Sequence, residues 1–160
     1  LMISNPLEQL DWYLSAGADI VTAHIEAFAS DAEVREFIER VRDAGKKPAL
    51  TLKPDCAIES LDAYIADLDM VLVMSVFPGF SGQSYIEGSE DRVAHVAHVA
   101  SKENPLLLIE VDGGISASRT AGLVCAKGAD VLVAGSGVFA APNPKDAVHE
   151  IRQSGINAQK

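Results

Sequence analysis

One unit recurs along this chain and fixes most of what it can fold into: a short apolar run rich in β-branched residues, a polar or glycine-bearing loop, an amphipathic segment, a glycine, then the next run. The runs are Ile20–Ala27, Pro48–Pro54, Met70–Val76, Leu106–Asp112 and Val131–Gly135. Each is short and mostly apolar, the pattern of buried parallel strands. Strands alternating with helices in this way make an α/β fold.

The intervening segments carry helix signals. Asn5-Pro6 sets a capping side chain before a proline at the first helical position; Leu7, Leu10 and Leu14 form a stripe, and Gly17 stops it. Ser30 with Glu33 makes a capping box, and Val34, Phe37, Ile38 and Val41 follow before Gly45. Ile58, Leu61, Ile65 and Leu68 mark a third helix, and Val93, Val96, Ala97 and Ala100 a fourth. A fifth is expected from near Ser116 to Gly128, and Asn143-Pro144 opens the last.

Side-chain alternation decides between a doubly wound sheet and a barrel, because alternate strand residues face opposite sides. One set, Val21, Ala23, Ile25, Leu50, Leu52, Leu107, Ile109 and Val111, suits packing under helices. The other, Thr22, His24, Glu26, Thr51, Lys53, Met74, Glu110 and Asp112, is largely polar. A sheet with helices on both faces would bury that set at a cost, whereas a barrel turns it inward and towards the mouth at the C-terminal ends of its strands. The expectation is therefore a (β/α)8 TIM barrel. Five full strands stand where eight are required, and Leu1-Met2-Ile3-Ser4 reads as the tail of a strand entering its helix. The first two to three βα units are thus expected to be absent, with residues 1–160 forming a single, N-terminally truncated barrel domain. A five-stranded open sheet is the competing account.

Composition narrows the partners. With 160 residues, 48% hydrophobic and 22% charged, the chain has the make-up of one ordinary globular domain. A net charge of −10 argues against nucleic-acid or anionic-membrane surfaces, which demand clustered Lys and Arg. It does not bear on a single phosphate, which backbone N–H groups can hold. Cys56 and Cys125 lie far apart without metal-site spacing, no apolar run reaches the ~18 residues of a membrane span, and the opening lacks the order of a signal peptide. A cytoplasmic protein is expected.

The strongest local feature is Ile109-Glu110-Val111-Asp112-Gly113-Gly114, a strand ending in a carboxylate and two glycines before an expected helix start. Ala134-Gly135-Ser136-Gly137 repeats the device on the next strand. Either loop alone reads as a tight βα turn; two on adjacent strands favour a phosphate site, which in this fold recurs after the last strands. Pro78-Gly79-Phe80-Ser81-Gly82-Gln83 is a third loop that could cover a ligand, although by itself it reads as a Pro-Gly turn. Asp112 could exchange a proton beside a bound carbonyl compound, hold a metal, or cap its loop. Glu26 with Lys53 reads as a structural ion pair, His24 stays open between structure and site, Met74 reads as packing, and His95 and His98 as solvated. Gly135-Ser136-Gly137 does not extend to GxGxxG, so no dinucleotide is expected.

Taken in order, Leu1-Met2-Ile3-Ser4-Asn5-Pro6, His24-Ile25-Glu26-Ala27, Val73-Met74-Ser75-Val76, Pro78-Gly79-Phe80-Ser81-Gly82-Gln83, Glu110-Val111-Asp112-Gly113-Gly114 and Val133-Ala134-Gly135-Ser136 resemble the ribulose-phosphate 3-epimerases over essentially the whole chain. The resemblance implies an isomerase that interconverts D-ribulose 5-phosphate and D-xylulose 5-phosphate at C3 through a metal-stabilised enediolate, with two aspartates as acid and base, in the pentose phosphate pathway. By the same resemblance Asp112 is one of those aspartates and a ligand of one divalent metal ion (Zn, Fe, Mn or Co). Gly79, Phe80, Ser81, Gly82, Gly113, Gly114, Gly135 and Ser136 hold the substrate and its phosphate, Met74 lines the reaction centre, His24 lies near it without binding metal, and the protein is a homo-oligomer. Ser81 stands where the family usually has glycine. The family's strands carrying a serine, a His-x-Asp pair and a further histidine have no counterpart here, so roughly 60 further N-terminal residues are expected, and the chain alone is not expected to epimerise. The alternatives are an epimerase for another ketose phosphate such as allulose 6-phosphate, an aldolase-like enzyme using the same enediolate, and a non-catalytic sugar-phosphate-binding barrel.

Overall fold

The structure is a computed structural model that describes residues 1–159. Its order is α1 (Pro6–Ser15), β1 (Ile20–His24), α2 (Asp31–Asp43), β2 (Lys47–Leu52), a 3₁₀ segment (Ile58–Asp67), β3 (Met70–Met74), α3 (Ser89–Glu103), β4 (Leu108–Asp112), α4 (Thr120–Cys125), β5 (Val131–Val133), α5 (Ser136–Phe139) and α6 (Pro144–Ala158). The five strands are all parallel and lie side by side in sequence order. A doubly wound sheet reverses its strand order at a switch point, and none occurs here. Right-handed crossovers, the near-universal hand, put every connecting helix on one face. The result is an arc of the kind from which a (β/α) barrel is built.

The two faces separate as alternation predicts. Val21, Ala23, Leu50, Leu52, Val71, Val73, Ile109 and Val111 join Leu10, Phe37, Val41, Leu61, Ile65, Val96 and Val124 in one apolar cluster beneath the helices. On the opposite face, strand register stacks the residues in rows across the sheet. His24, Thr51, Leu72, Glu110 and Val131 make one row, and Met74, Asp112 and Val133 the row nearest the mouth.

Local chemistry sets the helix ends. The Ser30 hydroxyl accepts the Glu33 N–H, while the Glu33 carboxylate reaches back to Ala29 N–H rather than to Ser30, so the box closes one residue early. Asn143 caps α6 through Lys145 N–H. Three expectations need correction. The first strand ends at His24, and Ile25–Ala27 turns into a short 3₁₀ helix that takes Glu26 out of the sheet. The third helix is 3₁₀ throughout, burying Ile58, Leu61, Tyr64 and Ile65; its side chains at i, i+3 and i+6 serve a three-residue turn. The fifth helix begins at Thr120, not near Ser116, because Thr120 Oγ1 accepts the Ser116 N–H and donates to Gly114 O, holding the intervening residues in a turn.

Candidate active site

The row ending in Asp112 opens into a cavity of about 370 Å3 at the C-terminal ends of β3, β4 and β5. Met2, Met74, Asp112, Gly113, Gly114, Gly135, Ser136 and the whole Phe77–Gln83 loop line it. Every residue assigned to the site from the sequence therefore lines one cavity. A larger groove of about 490 Å3 lies between β5 and α6, walled mainly by Val131, Leu132, Val138, Val148, Ile151 and Ile156. It has none of the strand-end carboxylates or glycine turns.

Three loops supply the floor and rim. Gly113 and Gly114 both have positive φ, +125° and +60°, and fit where no side chain could: a Cβ on Gly113 would meet Val76 at 2.6 Å, and one on Gly114 would meet the Tyr85 backbone nitrogen at 2.5 Å. The Gln83 side-chain amide donates to Phe77 O and Phe80 O, drawing the loop into an arch. Among the described residues, the main-chain N–H groups of Gly79, Phe80, Ser81, Gly82, Gly114, Gly135 and Ser136 donate to no protein acceptor. Backbone donors left open around one concavity form a nest suited to an anion. Those of Gly79–Gly82 and Gly114 belong to loops and those of Gly135 and Ser136 to the start of α5, while no helix starts directly after Gly114.

Asp112 is the last residue of β4, with its side chain on the open face opposite Met74. Burial raises its carboxyl above the usual carboxylate range. Glu110, two residues down the same face, is raised by burial and then by the charge of Asp112. Neither carboxylate forms an ion pair among the described residues. Met74 is 1% exposed and forms the wall beside Asp112. Phe80 is 77% exposed at the loop tip, free to meet a ligand or solvent.

A second cluster sits to one side, where His24, Glu26 and Lys53 share a cavity with Met2 and Pro78. The expected Glu26–Lys53 ion pair does not form. The Glu26 carboxylate instead accepts the Lys53 main-chain N–H and the Cys56 thiol at 3.0 Å, and lies 3.3 Å from His24 Nδ1. Burial lowers the His24 pKa and pushes the Cys56 thiol up to about 11, while the hydrogen bonds outweigh burial and lower that of Glu26. This network fixes the turn after β2, and Arg92 braces its other side through Cys56 O and Lys53 O. A carboxyl with a depressed folded pKa stabilises above its unfolded pKa of about 4.3, and loses that contribution as pH falls through the folded value. Glu26→Gln is accordingly expected to lower stability by about 1–3 kcal/mol at pH 7. The loss should shrink towards zero below the Glu26 pKa, as read by denaturant unfolding at both pH values. Outside the mouth, His95 is held by Asp62 at 2.9 Å rather than solvated, and His98 meets Lys102.

Sequence reasoning missed three members of the mouth. Met2 lines the cavity with Met74, and the Leu1–Pro6 segment that contains it gave no site role. Gln83 shapes its loop through side-chain bonds that no spacing rule anticipates. Ser75, fully buried, hydrogen-bonds the turn after Asp112; its only signal was a hydroxyl inside an apolar run.

Sequential parallel strands with helices on one face, and a carboxylate at the strand mouth ringed by open backbone donors, define an enzyme of the (β/α)-barrel class. Solved structures agree on the fold. The chain superposes on 3-hexulose-6-phosphate synthase from Salmonella typhimurium with a TM-score of 0.66 at 21% identity, covering 99% of this chain and 71% of that one. On orotidine 5'-monophosphate decarboxylase from Sulfolobus solfataricus the TM-score is 0.65 at 15% identity. Sequence carries the assignment further. The model of the ribulose-phosphate 3-epimerase family matches residues 1–139. The ribulose-phosphate 3-epimerase of Bacillus subtilis is 37% identical over 155 residues, and that of Aquifex aeolicus 34% over 158. These alignments take in 96% and 99% of this chain and 70% and 69% of the relatives. The chain belongs to the ribulose-phosphate 3-epimerase family, a family of isomerases.

Proposed function

We propose that this protein interconverts D-ribulose 5-phosphate and D-xylulose 5-phosphate, with Asp112 exchanging the C3 proton on one face of the substrate and the second aspartate implied by the resemblance, which has no counterpart among residues 1–160, exchanging it on the other. The observation that carries the reading is the set of unpaired N–H groups from three neighbouring loops around the cavity that holds Asp112. They suit the phosphate, which anchors the sugar so that its ketone end reaches the carboxylate. The C2 ketone acidifies the C3 hydrogen, and a carboxyl raised by burial is a better base there than an ordinary one. Met74 and Met2 supply apolar walls that keep water from the intermediate.

The divalent metal implied by the resemblance does not find its ligands in this chain: among the described residues no three His, Cys, Asp or Glu side chains converge as a metal site. Asp112 is the residue that the resemblance assigns as such a ligand, and no step is derived through a metal. In the same reading the protein works in the cytoplasm as a homo-oligomer. No helix among the described residues is long and apolar enough to cross a membrane.

The test is to purify the protein as its cell makes it and follow D-ribulose 5-phosphate in deuterated water, with and without a chelator. Xylulose 5-phosphate carrying deuterium at C3 is the expected product. Faster turnover of allulose 6-phosphate would transfer the mechanism to another ketose phosphate. Phosphate binding with no exchange in either sugar would make the protein a binder.

A further inference from the structure

The mouth is held together at one point deeper than its lining. Ser75 follows the last residue of β3 and is fully buried. Its N–H donates to Asp112 O at 2.9 Å, its hydroxyl lies 2.9 Å from that same oxygen and 2.7 Å from Gly113 O, and its carbonyl accepts Ile86 N–H. The three segments that meet here are the end of β3, the turn after Asp112 and the return of the Phe77–Tyr85 loop. The Ile86 bond holds the loop's return, and the hydroxyl's single proton, shared between two carbonyls, holds the Asp112–Gly113 turn.

We propose that Ser75 is a positioning residue for the reaction: its hydroxyl fixes the Asp112–Gly113 peptide and so aims the Asp112 carboxylate. The argument rests on the functional reading above. In a strand that simply continued, residue 113 would follow the pleat. Here Gly113 turns away at φ +125°, where Val76 leaves no room for a Cβ, and its carbonyl accepts from the buried Ser75 hydroxyl. A buried carbonyl left without that partner draws the turn towards another donor or towards water, and Asp112 moves with it. The phosphate donors on Gly79–Gly82, Gly135 and Ser136 lie on other segments and are spared, and of the nest only the Gly114 N–H shares the turn.

Ser75→Ala tests this. The expected result is a fall in kcat of roughly 10- to 100-fold, the cost of an ångström-scale misplacement of a reacting group, with KM and the inhibition constant of inorganic phosphate changed less than about threefold. Ser75→Thr, which keeps the hydroxyl, is expected to recover most of kcat. The proposal is overturned if kcat per folded molecule is unchanged in Ser75→Ala, or if phosphate affinity falls by the same factor as kcat. Should the alanine variant not fold, Ser75→Cys, with its weaker and longer donor, is held to the same criteria. Crystal structures of the variant and the unaltered protein separate this from the functional reading. Absence of C3 exchange in the unaltered protein defeats that reading alone, while a carboxylate of Asp112 displaced by about 1 Å supports the positioning role and an undisplaced one defeats it.

Discussion

Asp112→Asn is expected to lower kcat/KM for D-ribulose 5-phosphate by roughly 10²- to 10⁴-fold, the span that a positioned acid–base group contributes. The exchange keeps the size and hydrogen-bonding reach of the side chain and removes only its capacity to take and return a proton. Because Asp112 ends β4 with its side chain on the open face, and its backbone is held by Ser75 whatever the side chain is, the fold has no reason to change. The phosphate donors are main-chain groups that, Gly114 apart, lie on other loops, so inorganic phosphate should bind the variant much as it binds the unaltered protein. Solvent deuterium entry at C3, followed by NMR, separates chemistry from binding. Exchange within tenfold of the unaltered rate would remove Asp112 from the reaction.

Gly114→Ala is expected to damage both the fold and the phosphate site. At φ +60° an alanine is strained by about 1 kcal/mol or more, and its Cβ would sit 2.5 Å from the Tyr85 backbone nitrogen and 2.8 Å from Tyr85 Cα. Neither atom belongs to a side chain that could rotate aside. Tyr85 is further pinned by its hydroxyl, which donates to Glu90 at 2.9 Å. The turn and the Phe77–Tyr85 loop must therefore separate, at a combined cost of about 2–4 kcal/mol, with phosphate affinity falling more than tenfold. Denaturant unfolding and calorimetric titration with inorganic phosphate read the two effects. Gly135→Ala is the control: its φ is −88° and an added Cβ meets nothing within 4 Å, so stability should hold. Stability unchanged in Gly114→Ala would mean that the close approach to Tyr85 is not a constraint.

The strands were legible because period-2 alternation is a direct consequence of the pleat, and in the first, second and fourth runs only one face was apolar enough to lie under helices. Asp112 and the glycine pairs were legible because a carboxylate at the end of an apolar strand and glycine at positive φ each have few structural uses. Boundaries were less so. Ile58, Leu61 and Ile65 read as a turn of 3.6 residues, whereas Ile58, Leu61 and Tyr64 serve one of 3.0, and the segment takes the second. Ser116 looks like a cap in isolation, yet its own N–H is accepted by Thr120 Oγ1, which donates to Gly114 O and holds the segment in a turn. Glu26 was paired with the wrong part of Lys53: charge is visible in a sequence, whereas a main-chain N–H turned towards the carboxylate is not. Ser75, Gln83 and Met2 escaped for the same reason, since each acts on atoms distant in sequence or on backbone that carries no residue label.

The strand order β1-β2-β3-β4-β5 has a consequence for biosynthesis. Each of β2 to β5 pairs with the strand made just before it, so none of these four leaves the ribosome without a partner already made. The sheet can grow by accretion, each new strand docking on a finished edge while its helix closes over the apolar face. The polar mouth is the last part to become whole. Asp112 has its Ser75 anchor as soon as β4 docks, but the Gly135–Ser136 donors arrive only with β5. A nascent chain stalled between the two would hold the reactive carboxylate in place and still be unable to grip a phosphate.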